Sequence, residues 1–190
     1  MIQLFRMPMK LATSTLTVYL ADLPGTVKWP SPIRCRVQEQ FDKIVAAGGG
    51  FSSASVVWTS RAPKLGPHDL LVYFVESRSD SVVKGLWSGA TLGDTGTTVV
   101  GTKDVASEVY LQGSQDDPKG LGNVAVHELM HNVTGLRQEL HSRPLISLGK
   151  EEVTGDTPLV KGDLDLFTQN LKRPRRQWTG GWEYHNDPLK

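Results

Sequence analysis

The chain has 190 residues, 38% of them hydrophobic and 22% charged, with a net charge of +1. That length suits one domain around one sizeable core, and the near-neutral charge excludes a global field aimed at nucleic acid or a membrane surface. Cys35 is the only cysteine, which excludes an internal disulfide framework and a cysteine-rich zinc site.

No apolar run approaches the ~20 residues of a membrane span. Arg6 and Lys10 precede the segment 11–20. Thr13, Ser14, Thr15 and Thr17 make a poor apolar core for a signal peptide, so the segment reads as a strand, not as an export signal. The compartment stays open: a soluble protein of the cytoplasm, or one exported by another route.

Leu16 to Leu20 alternates and is rich in β-formers, which predicts a first strand. Asp22-Leu23-Pro24-Gly25 breaks it. Ser31-Pro32 reads as a helix start, with Ser31 as the cap and Pro32 in the first turn. Ile33, Val37, Phe41, Ile44 and Val45 follow at helical spacing, and Gly48-Gly49-Gly50 stops the helix. Cys35 on this helix reads as a core thiol. Ser55 to Thr59 is a second strand. Asp69 to Glu76 is a third, and its continuous apolar run predicts burial on both faces. His68, just before it, reads as a cap or a solvent-facing residue. Trp58 and Trp87 read as core or rim. A Gly/Thr/Ser-rich stretch, 85–102, holds a short β-rich piece at Thr97-Thr98-Val99-Val100. Glu108 to Gln112 is a further strand, and Gln115 to Gly120 a loop. Gly122 to His131 reads as a helix, and Asp163 to Leu171 as a last helix closed by Pro174. This order predicts an α/β (α+β) domain over residues 1–171, a twisted mixed sheet backed by helices. Residues 172–190 form a tail.

One run in that order carries chemistry. His127-Glu128-Leu129-Met130-His131 reads H-E-x-x-H, with Val124, Ala125 and Val126 ahead of it. Two histidines four apart on a helix share one face, so their imidazoles can reach one tetrahedral zinc ion. Glu128 can then hold the water that the metal activates. Burying such groups without partners costs several kcal/mol each, so a run this apolar needs a reason to contain them. The competing reading is a helix with two hydrogen-bonded, partly buried histidines.

This pattern resembles the zincin metallopeptidases, and within them the metzincins, whose motif continues as H-E-x-x-H-x-x-G-x-x-H. Here the continuation is Asn132-Val133-Thr134-Gly135-Leu136-Arg137-Gln138-Glu139-Leu140-His141. Gly135 comes one residue later than in the family, Arg137 stands where the third ligand would, and His141 comes four residues beyond it. The resemblance implies a zincin-like fold, a Zn2+ ion on His127, His131 and His141, and Glu128 as general base in peptide hydrolysis. Gly135 suits the left-handed turn that must follow the helix, with Arg137 to Leu140 as a wider loop before His141. Glu151 or Glu152, by analogy with gluzincins, and Asp156, Asp163 or Asp165, by analogy with aspartate-ligand zincins, stay open as third ligands; Glu139 reads as a rim charge. Asp163 and Asp165 also have an ordinary role as first-turn acids of the last helix. The family's methionine turn is missing, since no methionine follows Met130. Pro144 to Gly149 takes its place, with Ile146 or Leu148 as the apolar floor.

The resemblance also implies a protein or peptide substrate that adds as a strand to a sheet edge lining the cleft. Thr98, Val99 and Val100 are the candidate contacts, against a plain surface hairpin. Tyr110, Tyr184 or His185 could donate a hydrogen bond to the developing oxyanion. Lys172-Arg173-Pro174-Arg175-Arg176, with Trp178 and Trp182 beyond, reads as a solvated extension. The rest of the chain is not basic, so nucleic acid is not the expected partner. Two other functions compete with a zinc peptidase: an inactive binding module on the same scaffold, and a zinc hydrolase of cell-wall peptides or other amides.

Overall fold

A computed structural model describes residues 14–84, 93–98, 105–112, 114–136 and 138–172. In chain order its elements are β1 (Thr15–Ala21), α1 (Pro30–Ala47), β2 (Ser53–Thr59), β3 (Leu70–Val75), β4 (Val83–Lys84), β5 (Gly93–Thr98), β6 (Val105–Tyr110), α2 (Pro118–Thr134), α3 (Gln138–His141) and α4 (Lys161–Asn170). The strands form one mixed sheet in the order β2-β1-β3-β6-β5-β4. β2, β1, β3 and β6 run parallel, while β5 runs antiparallel to both β6 and β4.

Strand alternation decides which residues meet the helices. Leu16, Val18 and Leu20 of β1 join Ile33, Val37, Phe41 and Ile44 of α1 in the main core. The opposite face of the sheet buries Ala21, Leu71, Tyr73 and Ala106 in a second cluster, closed by Tyr19, Leu23, Leu65 and Val82. β3 lies between the two clusters and is buried at all six positions, as its unbroken apolar run predicts. Each fully buried aliphatic or aromatic side chain contributes about 1.5–3 kcal/mol to folding. Trp58 stacks on Phe74 with ring centroids 5.2 Å apart, so it belongs to the core margin. His68 is half-buried, with Phe51 edge-on to it, rather than facing solvent.

Other expectations change as well. α1 starts at Pro30 with Trp29 in the capping position and no side-chain cap, so Ser31 lies inside the first turn. Proline at the first helical position has no amide to leave unsatisfied, so the helix extends to it without a capping side chain. Cys35 is exposed, because the buried stripe of α1 follows Ile33, Val37, Phe41 and Ile44 and places position 35 away from it. At Thr97 and Thr98 the outer strand is β4, not β5: Lys84 and Val83 pair with them. Val99 and Val100 lie outside the described residues, as do Trp87, Tyr184 and His185.

α2 begins at Pro118, inside the expected loop, because the Asp117 carboxylate accepts the Gly120 amide (2.8 Å) and caps it. It is buried at every position from Gly120 to Val133 and forms the central helix. Ser107 of β6 donates to the Glu128 carbonyl (2.9 Å) and accepts from Asn132 (3.3 Å), which fixes the helix on the sheet. At the other edge, the Gln38 amide donates to the Ala54 carbonyl (3.1 Å) and accepts the Val56 amide (2.9 Å), so a side chain occupies hydrogen-bonding positions of β2. Among the described residues no helix is long and apolar enough to cross a membrane.

Candidate metal centre

The last two turns of α2 carry His127, Glu128 and His131, all buried. The helix ends at Thr134, and Gly135 takes a left-handed conformation (φ 69°) with its amide on the His131 carbonyl at 2.8 Å. A residue with a Cβ is strained there, which is why a glycine closes this helix. The chain reverses, and Gln138–His141 form α3 rather than an open loop. Lys150 secures the return by donating to the carbonyls of His141 (3.0 Å) and Arg143 (2.9 Å).

The result is a cluster of three imidazoles. The Nε2 atom of His131 lies 3.1 Å from that of His127 and 3.1 Å from that of His141. Their outer nitrogens decide what the inner ones can be. His127 Nδ1 lies 2.6 Å from the Leu148 carbonyl, and His131 Nδ1 lies 2.7 Å from the Leu136 carbonyl. A carbonyl only accepts, so each Nδ1 carries the proton and donates. His141 Nδ1 faces Gln138 Oε1 (3.1 Å) and the Glu151 carboxylate (3.5 Å), which assigns it the same tautomer. Neutral imidazoles with Nδ1 protonated present bare lone pairs at Nε2. Three lone pairs at this separation repel one another unless a proton or a cation stands between them.

Zinc fits that arrangement. Zn–N bonds of about 2.0–2.1 Å in a tetrahedron place neighbouring nitrogens about 3.3 Å apart. The observed separations of 3.1 Å match that spacing. The cluster is the group of potential metal ligands found among the described residues. Burial holds the His127 imidazole down to about 4, outweighing the Leu148 carbonyl, which pulls the other way, and the neighbouring His141 lowers it further. Burial also lowers His141, against the opposing pull of Glu151. Both rings are thereby kept neutral near pH 7, the form a metal needs.

Glu128 Oε1 lies 3.9 Å from His127 Nε2. The space for its side chain comes from Gly93 of β5, where an added Cβ would fall 2.8 Å from Glu128 Cγ. The carboxylate therefore sits between the imidazoles and β5.

The acids considered as third ligands stand elsewhere. Glu139, Glu152 and Asp156 are exposed, and Asp165 pairs with Lys161. Glu151 is exposed and backs His141 from outside. Asp163 is fully buried, with its oxygens on backbone amides. Tyr110 lines a separate cavity of about 440 Å³ at the start of α2, with Asp117, Leu121 and Val124, and none of the three histidines lines it. Thr98 closes β5 against β4.

Sequence reasoning did not single out Gly93 or the Leu136 and Leu148 carbonyls. Gly93 had a weak signal, a glycine a few residues ahead of a short β-rich piece, where glycine can mark close backbone approach. The carbonyls had none, since any residue type supplies one. Compared with known proteins, the chain matches no family model, no curated protein and no solved structure.

Proposed function

We propose that this protein is a zinc-dependent metallopeptidase with a zincin-like domain, holding Zn2+ on His127, His131 and His141. The observation that carries the proposal is the convergence of three Nε2 lone pairs, with their tautomers set from behind by acceptor oxygens. A bound zinc ion supplies a Lewis acid that brings a water toward neutral pKa and polarises a carbonyl.

The chain's own residues supply the rest. Glu128 is 5% exposed, and a buried carboxylate is costly for a site that only binds metal. Beside the imidazoles it can take the proton of the attacking water on Oε1 and return it to the leaving amine. That role favours a hydrolase over an inactive binding module. The substrate is a peptide or protein, whose reacting bond lies beside Glu128 where Gly93 brings β5 against that side chain.

The test uses purified protein, metal analysis and a peptide library. About one zinc per chain and chelator-sensitive cleavage are expected. Glu128→Gln should retain zinc and lose cleavage. A protein that refuses zinc, or a Glu128→Gln variant that still cleaves, overturns the assignment.

A further inference from the structure

Asp163 is an acid at the start of α4, where a carboxylate commonly caps its own helix. It does so here, accepting the Val160 amide at 3.0 Å. Its other partners lie outside α4. Its two oxygens accept the amides of Ser147 (3.1 and 3.2 Å), Leu148 (3.1 Å) and Gly149 (3.2 Å). The carboxylate is fully buried, and four amide donors surround it. A buried carboxylate satisfied this way is strongly held, and it holds its donors in turn.

Leu148 connects this cradle to the imidazoles. Its amide faces Asp163 on one side, and its carbonyl accepts His127 Nδ1–H at 2.6 Å on the other. The segment 142–160 contains no helix or strand, so nothing in regular secondary structure fixes that carbonyl. We propose that Asp163 is a positioning residue for the metal centre: by clamping the Ser147–Gly149 amides it aims the Leu148 carbonyl at His127, and so sets the tautomer and orientation of the buried metal ligand. This rests on the zinc reading above. Groups hydrogen-bonded directly to a ligand, as the Leu148 carbonyl is, typically account for 10- to 100-fold in metal affinity; Asp163 acts one hydrogen bond further out, through Leu148, so the low end of that range is expected of it.

A control is built into the same molecule. Asp22 is also buried, and its carboxylate accepts the amides of Gly25 (2.9 Å), Thr26 (3.1 Å) and Val27 (3.1 Å). Its partners are in a loop that carries none of the three histidines. Wild-type protein, Asp163→Asn and Asp22→Asn are stripped with a chelator and titrated with Zn2+ alone, with thermal unfolding of each apoprotein alongside. Both variants should melt lower. Asp163→Asn should bind zinc about 10-fold more weakly, the low end of the range for a ligand's direct partner, while Asp22→Asn keeps the wild-type affinity. Equal affinity for wild type and Asp163→Asn overturns the proposal. So does an equal loss in Asp22→Asn, because the effect would then follow stability alone. A wild-type protein that takes up no zinc removes the metallopeptidase reading and this proposal with it, a result distinct from either of those.

Should Asp163→Asn fail to fold, the wild-type protein carries the test. Coupling is reciprocal, so zinc must stabilise the clamp as the clamp stabilises the site. Hydrogen exchange at the Ser147, Leu148 and Gly149 amides should slow on adding zinc, and more than at Gly25, Thr26 and Val27. Equal protection of the two sets overturns the proposal.

Discussion

Replacing Gly93 by alanine should separate metal binding from catalysis. The added Cβ would lie 2.5 Å from the Glu108 carbonyl oxygen, 2.8 Å from Glu128 Cγ and 2.9 Å from Glu128 Oε1, where ordinary contacts begin near 3.4 Å. The Glu108 carbonyl belongs to β6, whose pairing with β5 runs from Gly93 to Thr97. The Glu108 clash is with backbone, so β5 must shift locally against β6, and the Glu128 side chain must retreat by about 0.6 Å or more; peptide hydrolysis should fall on the order of 10- to 100-fold. Stability should fall by about 1–3 kcal/mol, the usual penalty of overpacking. Zinc should stay bound, because the imidazoles are oriented from the far side by the Leu148 and Leu136 carbonyls, which position 93 does not touch. Steady-state peptide hydrolysis and zinc content, measured together, read both effects. The loss should fall on kcat with KM nearly unchanged. Wild-type kcat in Gly93→Ala would refute the placement of Glu128 against β5, and a parallel loss of zinc would refute the separation of the two roles.

Acid should weaken the apoprotein through His127. Burial holds this imidazole at about 4 in the folded chain against 6.5 when unfolded, so the unfolded chain binds the proton first as pH falls. Its contribution is therefore complete above pH 6.5 and is lost toward pH 4, by about 3 kcal/mol in total. Denaturant unfolding of chelated protein at pH 7.5, 5.5 and 4 should show that loss in wild type beyond any seen in His127→Gln; matching pH dependences would contradict it. Gln38→Ala should promote self-association, since it uncovers the Ala54 carbonyl and Val56 amide on the edge strand β2. Sedimentation of the variant and wild type across a concentration series checks this, and an unchanged monomer fraction counts against an edge-guarding role.

What could be read in the sequence follows from how local each interaction is. The H-E-x-x-H face needs only helical periodicity, so His127, Glu128 and His131 were placed from spacing alone. β3 was legible because a strand buried on two faces cannot alternate. His141 was harder: its spacing depends on α3, a single helical turn that four residues do not announce. β5 was hardest. Its Gly-Asp-Thr-Gly-Thr-Thr sequence has no apolar face, and it is a strand because β6 pairs along it. Asp163 looked like a helix-start acid, and it is one, but its three other donors come from 14–16 residues upstream. No pattern of residue types encodes a partner chosen by backbone amides across a loop.

That gap has a physical reason. His127, His131 and the Glu128 carboxylate ride on one helix, so folding α2 brings them together without further cost in chain entropy. His141 and the Leu148 carbonyl must be brought back by 142–160 and its flanks, a stretch with no ladder of its own to satisfy its backbone. Every buried amide and carbonyl there needs a partner. Asn123 supplies donors to the carbonyls of Thr154 (2.7 Å), Gly155 (3.3 Å) and Thr157 (3.2 Å), Asp163 accepts the amides of 147–149, and Lys150 ties the His141 and Arg143 carbonyls at the end of α3. Asn123 sits one helical turn before His127 on α2, and Asp163 sits at the start of α4. An irregular loop is thereby fastened to two helices, α2 and α4. The side chains that do this bind backbone rather than metal, so the fidelity of the three-histidine cluster depends on residues that carry none of its chemistry.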